Sequence, residues 1–184
     1  MKTNPFWLGQ TNPFWLGLVA GLTALSPGLA ADPAVNPAER IEVTFSHPEK
    51  FSDVRDGYMG SDQGRDGLLG QLKDYIVQRA QSRVPEGQKL SILVTEVDLA
   101  GDFEAWHGPQ MSDVRVVKDV YPPKIDLEFK LTGPDGKVVK EGQRQLRDLA
   151  FMMKLSINRD DNLRFEKALV DDWLRDELPR PRAK

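Results

Sequence analysis

Cysteine is absent from all 184 residues, so the fold has no disulfide staple and its chemistry no thiol nucleophile or thiolate metal ligand. Histidine occurs only at His47 and His107, and neither stands in a pattern with Ser or Asp that a nucleophilic triad would show. There is no Gly-x-Ser-x-Gly elbow, and no glycine-rich phosphate loop follows a strand pattern. A basic excess is missing too. The 25 Lys and Arg are scattered and outnumbered by 28 Asp and Glu, which excludes the concentrated basic face of a nucleic-acid-binding domain and an electrostatic grip on anionic lipid. No apolar run reaches the length of a membrane-spanning helix.

The longest apolar run, residues 14–25 (FWLGLVAGLTAL), instead has the length of a signal-peptide core. Ser26-Pro27-Gly28 breaks it, and Gly28 and Ala30 put small side chains where a signal peptidase reads them. Residues 1–30 are therefore expected to be a cleaved signal peptide, cut after Ala30 or alternatively Ala31, which places the mature protein in the periplasm or outside the cell. A seven-residue segment, TNPFWLG, occurs at 3–9 and again at 11–17; the period is too short for a solenoid and falls in the disposable leader. No cysteine stands at the cut to carry a lipid, so the mature chain is expected to be soluble, with no stable membrane anchor. Cleavage would remove only Lys2 among charged residues, so the mature chain is slightly more acidic than the whole, which carries a net −3.

Residues 31–39, rich in Pro and Ala, read as a disordered linker. The alternation of Ile41, Val43 and Phe45 predicts a first strand, and 51–64 a Gly/Asp-rich loop. Leu68, Leu69, Leu72, Tyr75, Ile76 and Ala80 make one face of a helix over 65–84. Residues 89–99 have Leu90, Ile92 and Val94 on one face and Leu93, Thr95 and Val97 on the other, which predicts an interior strand covered on both sides. Residues 100–112 lose periodicity and read as a loop; 114–121 are β-branched and read as a strand or strand extension. Ile125, Leu127, Phe129 and Leu131 then alternate with polar residues up to Asp135-Gly136, a hairpin spanning 122–148. A short apolar plug at 149–153 precedes a second helix over 160–178, capped by Asp160 or Asp161, with Phe165, Leu169, Val170, Trp173, Leu174 and Leu178 as its buried stripe. Pro179 opens a loose tail, 179–184. The order β-α-β-β-β-α predicts a single α+β domain over 40–178, a two-layer sandwich with two helices on one face of an antiparallel-rich sheet of about four strands.

Three constellations could carry function. Asp98, Asp102, Glu104 and His107 supply oxygen and nitrogen donors suited to a divalent cation, although their spacing matches no defined metal motif, and no cofactor is implied. Arg144 and Arg115 could hold an anionic ligand. A two-residue Asp135-Gly136 loop sets Lys130 opposite Glu141 and Arg144 opposite Leu127, so Arg144 needs a carboxylate such as Asp148 or Asp113 unless a one-residue bulge turns it outward. Among the aromatic residues Phe103, Trp106, Tyr121 and Trp173, Trp173 belongs to the core, whereas Phe103 and Trp106 sit in a Gly/Pro loop where they could grip a partner. Asp171-Asp172 lies on a charged helix face and reads as solvated.

Six blocks carry a resemblance to a known family: Pro48-Glu49-Lys50-Phe51 with Asp53-Val54-Arg55; Asp98-Leu99-Ala100-Gly101; Asp113 to Asp119; Pro123 to Leu131; Glu141-Gly142 with Leu146, Asp148, Ala150 and Phe151; and Leu163-Arg164-Phe165-Glu166-Lys167 with Asp171, Asp172 and Trp173. In order and spacing they resemble the uncharacterised secreted bacterial family called domain of unknown function 3016. The resemblance implies export and domain extent, and brings no activity, cofactor or catalytic residue with it. Together these features lead us to expect an exported, non-catalytic domain that binds an envelope protein or extracellular component through a loop face, using Phe103, Trp106, His107, Arg115 and Arg144. The alternative is a small hydrolase or metal-dependent enzyme using the acidic loop 98–113.

Overall fold

The structure is a computed structural model that describes residues 40–104, 106, 112–154 and 160–179; the leader, the linker, His107 and the tail beyond Pro179 lie outside it. Strand β1 (Ile41–Phe45) is followed by a 3₁₀ turn at Pro48–Lys50, helix α1 (Asp62–Gln81) and strand β2 (Lys89–Asp98). Two-residue strands β3 (Asp102–Phe103) and β4 (Arg115–Val116) come next, then the hairpin strands β5 (Lys124–Thr132) and β6 (Val138–Arg147), a second 3₁₀ turn at Phe151–Met153 and helix α2 (Arg164–Glu177). The main sheet runs β1-β2-β5-β6; β3 and β4 form a separate pair. β1 and β2 are parallel because α1 carries the chain back between them, and β2, β5 and β6 are antiparallel. This is an α+β fold with a mixed sheet.

The first helix starts three residues before its apolar stripe suggests. Ser61 caps it by accepting a hydrogen bond from the Gly64 N–H at 2.9 Å, and the Asp56 carboxylate binds the Ser61 N–H and hydroxyl at 3.1 Å each. The second starts later, at Arg164, without a side-chain cap. Asp161 accepts from the Leu163 N–H at 2.9 Å and pairs with Lys167 at 2.6 Å, just ahead of the helix.

One face of the sheet is buried under the two helices and the other is open, which corrects the expectation of a doubly covered β2. A bulge between Val94 and Glu96 explains the misreading: Thr95 is the extra residue, so the parity of the strand changes there. Leu90, Ile92, Val94 and Val97 are all buried, while Ser91, Leu93 and Thr95 are exposed. Opposite them Ile125, Leu127, Phe129 and Leu131 fill the same core. Phe129 meets Trp173 of α2 edge to face, with centroids 5.7 Å apart, a contact that adds roughly 0.5–1.5 kcal/mol beyond area burial.

The hairpin keeps the expected register through most of its length, with Lys130 opposite Glu141 and Arg144 opposite Leu127. Its turn is wider than two residues, closed by the Gly133 N–H to the Lys137 carbonyl at 2.8 Å, and Val139 is bulged next to it. Of the apolar plug only Phe151 is buried, edge-on to Phe165 at 4.8 Å; Leu149, Met152 and Met153 are exposed.

Candidate functional site

Beyond the C-terminal ends of β1 and β2, the loop after β1, residues 99–104 and 112–121, and the start of α2 come together. Asp53 and Asp98 form an isolated parallel bridge, and the Leu99 N–H donates to the Asp53 carbonyl at 2.9 Å, which pins the first two segments to each other. The Asp53 side chain then gathers two arginines. Arg55 Nε reaches its Oδ1 at 2.8 Å, and Arg115 contributes a fork, 2.9 Å to Oδ2 and 3.2 Å to Oδ1. Arg55 continues to Asp102 at 3.0 Å, while Arg115 also binds the carbonyls of Gly101 and Arg55 at 2.9 and 3.1 Å. Burial pushes the Asp53 carboxyl upward, but the hydrogen bonds from Arg55 and Arg115 outweigh it and hold the group below its ordinary value.

Phe103 lies beneath these charges. Its ring is buried, with the Arg115 guanidinium 4.5 Å and that of Arg55 5.4 Å from the centroid, so both cations are stacked as well as paired. Gly101 makes the arrangement possible: its φ is +84°, and a Cβ there would stand 2.7 Å from the Val116 carbonyl, so only glycine lets β3 approach β4 this closely. One residue further, Glu104 is buried against Lys118 Nζ at 2.7 Å and the Tyr121 hydroxyl at 3.1 Å. Donating to this carboxylate raises the Tyr121 phenol. The same contacts explain why 114–121 does not run on as a strand: the chain turns so that Lys118 and Tyr121 can serve Glu104, with the Tyr121 N–H returning to the Lys118 carbonyl at 3.0 Å.

A cavity of about 430 Å³ opens beside this network. Its apolar lining includes Leu99, Val117 and Phe165; its charged lining comprises Arg55, Arg115 and Arg164 with Asp56 and Asp113. Arg164 stacks on its neighbour Phe165 at 4.4 Å and donates to the Asp161 carbonyl at 3.2 Å. Behind the wall, Glu166 is wholly buried: one oxygen accepts from the Ala100 N–H at 2.7 Å and the other meets no partner among the described residues. Burial raises its carboxyl above the ordinary range against the opposing pull of that N–H and of Arg115 and Arg164. A smaller recess of about 300 Å³ on the other side of Arg55 is lined by Asp53, Asp98, Asp102 and Lys124.

The acidic donors of loop 98–113 do not converge. Asp98 pairs with Lys124 at 2.8 Å, Asp102 with Arg55, and Glu104 with Lys118, and among the described residues no group of three His, Asp or Glu side chains is arranged to hold a metal ion. Arg115 is a site residue, but its partner is Asp53. Arg144 is remote from it. It leans on Phe129 at 5.4 Å and pairs with Glu177 of α2, not with Asp148 or Asp113, because Asp148 is taken by Lys154 and the Asp113 carboxylate accepts from the Tyr58 N–H at 3.2 Å. Phe103 is buried and cannot grip a partner, whereas Trp106 is 70% exposed. Asp171 and Asp172 are likewise engaged, by Arg79 and Tyr75 and by Lys154 and Arg175. Sequence reasoning passed over Asp53, Arg55, Arg164 and Glu166 as site residues. Only Glu166 had a local signal, three and four positions ahead of Leu169 and Val170 and so on the apolar stripe of its helix.

Fold and site together define an α+β domain whose open-ended mixed sheet supports an arginine-aspartate network and a cavity among the loops at one end. The chain belongs to the family described as Protein of unknown function (DUF3016), whose model matches residues 39–176. No curated protein and no solved structure matches the chain.

Proposed function

We propose that the protein is an exported, non-catalytic binding domain that takes its ligand or envelope partner in the cavity beside Phe103. The observation that carries this reading is the cavity itself, concave, partly apolar and lined by both signs of charge, with its walls held rigid by the Asp53 network. Exposed Tyr58 and Val114 extend the apolar surface at its mouth: Val114 lines the cavity and the Tyr58 N–H is bound by neighbouring Asp113. Export rests on the apolar run 14–25 and the small residues at Gly28 and Ala30. Each described carboxylate of the 98–113 loop is bound by a cation or a backbone N–H, which favours a scaffold over acid-base chemistry.

Two measurements test this. N-terminal sequencing of protein recovered from the periplasmic fraction should begin at Ala31 or Asp32; an intact Met1 in that fraction overturns the leader. A photo-reactive side chain at position 114 should trap a partner that the same group at position 139, on the far edge strand, does not. Equal trapping at both positions, or none at 114, overturns the binding site.

A further inference from the structure

We infer that Met59, Met152 and Met153 are sites of reversible oxidation to the sulfoxide by a hydroperoxide, which the folded domain accepts without loss of structure. This stands apart from the cavity and its ligand. Methionine is ordinarily among the residues that fill a core. Here the buried residues described include none, and each described methionine reaches solvent: Met59 is 86% exposed, Met153 87% and Met152 51%. In both places the backbone is tied down while the side chain is left in water. Around Met59, Arg55 donates to the Tyr58 carbonyl at 3.1 Å, the Tyr58 N–H to Asp113 at 3.2 Å, and the Gly60 N–H to the Gly57 carbonyl at 3.0 Å. Around Met152 and Met153, Phe151 is buried edge-on to Phe165, the Met153 N–H donates to the Ala150 carbonyl at 2.9 Å, and Lys154 bridges Asp148 and Asp172 at 2.7 and 2.6 Å. An oxidant therefore meets these side chains without any opening of the fold. The sulfur lone pair attacks the outer oxygen of the peroxide: the S–O bond forms, the O–O bond breaks and the proton passes to the departing oxygen. Sulfur loses two electrons, and the peroxide is reduced to an alcohol or to water. No cysteine is present to compete for the oxidant. At each site the new polar oxygen lies in water, whereas on a core methionine it would be buried unpaired. The apolar core around Leu90, Phe129 and Trp173 holds no thioether and is left intact.

The test exposes purified protein, folded or unfolded in urea, to hydrogen peroxide and follows the sulfoxide at each methionine by peptide mass spectrometry. In the folded protein Met59 and Met153 should oxidise within about threefold of their rates in urea, with Met152 slower than either. Greater protection of Met59 or Met153 in the folded state overturns the inference. After full oxidation the circular dichroism spectrum should be unchanged and the melting temperature should stay within a few degrees of the untreated value, as for other changes confined to the surface. Met111 lies outside the described residues, so the melt is repeated with Met111→Leu. A loss of structure that persists in that variant overturns the inference; a loss confined to wild type traces to Met111 and supports it. Methionine sulfoxide reductases acting on the two epimers should return Met59 and Met153 to the unoxidised mass in the folded protein, and resistance there overturns reversibility.

Discussion

Glu166 is buried in the first turn of α2, where its carboxylate accepts a hydrogen bond from the Ala100 N–H. Since its folded value lies above the ordinary 4.5, the ionised form is disfavoured inside the protein. The penalty is absent below 4.5, grows as pH rises through the folded value, and is constant above it. Glu166→Gln keeps an acceptor for Ala100 and removes the ionisation. Denaturant midpoints should therefore show the variant more stable than wild type at about pH 8 and equal to it near pH 4, by about 1.4 kcal/mol for each unit separating folded from unfolded values. Equal stability at both pH values would show that the carboxyl is hydrated. Arg144 makes a different case. Its guanidinium lies over Phe129, and Glu177 keeps Lys140 at 2.7 Å as a second cation, so Arg144→Ala should cost only about 1–2 kcal/mol and leave ligand binding at the cavity unchanged.

Helix α1 contains three glycines in identical secondary structure, and their surroundings predict opposite responses. A Cβ on Gly64 would lie 2.0 Å from the Asp56 carboxyl carbon, whereas nothing stands within 4 Å of one on Gly67 or Gly70. Gly67→Ala and Gly70→Ala should each raise stability by up to ~1 kcal/mol. Gly64→Ala should lower it despite the same gain in helix propensity, because Asp56 must leave Ser61. Ser61→Ala should also cost about 1 kcal/mol through loss of the cap. Thermal melts of the four variants check the signs directly, and a stabilising Gly64→Ala would remove the Asp56-Ser61 contact from the account of the loop. The edge strand β6 shows the same dependence on surroundings: its charged residues and the Val139 bulge blunt an exposed ten-residue edge against pairing with other chains.

Across the molecule, carboxylates depressed by pairing set the acid limit. Burial raises Asp53, Asp161, Asp172 and Glu177, but in each the hydrogen bonds to Lys or Arg win and the group titrates below its ordinary value. Their stabilisation is complete above 3.8 for the aspartates and 4.5 for Glu177, and is lost as pH falls through the lower folded values. Glu166 acts in the reverse direction above 4.5. Stability should thus rise steeply out of acid and then decline by the Glu166 increment as pH passes above 4.5, a decline missing from Glu166→Gln. Asp53→Asn should flatten the acid limb and cost roughly 2–3 kcal/mol, less than a fully buried pair because the Arg55 side chain stays 35% exposed. It should also lower affinity at the cavity, since Arg115 loses the fork that orients it.

The periodic stretches were legible from residues alone. Ile41 to Phe45, the hairpin register at Lys130 and Glu141, and the stripe Leu169-Val170-Trp173-Leu174 follow from period and turn chemistry, which are local properties. Tertiary structure decided the rest. The bulge at Thr95 changed which face of β2 is buried, and the choice of Glu177 for Arg144 depended on where α2 ends. Asp53, Arg55, Asp102 and Arg115 lie up to 62 positions apart and meet only because β1 and β2 end side by side. Ion pairing is set by distance in space, and a sequence orders its charges along the chain without measuring that distance.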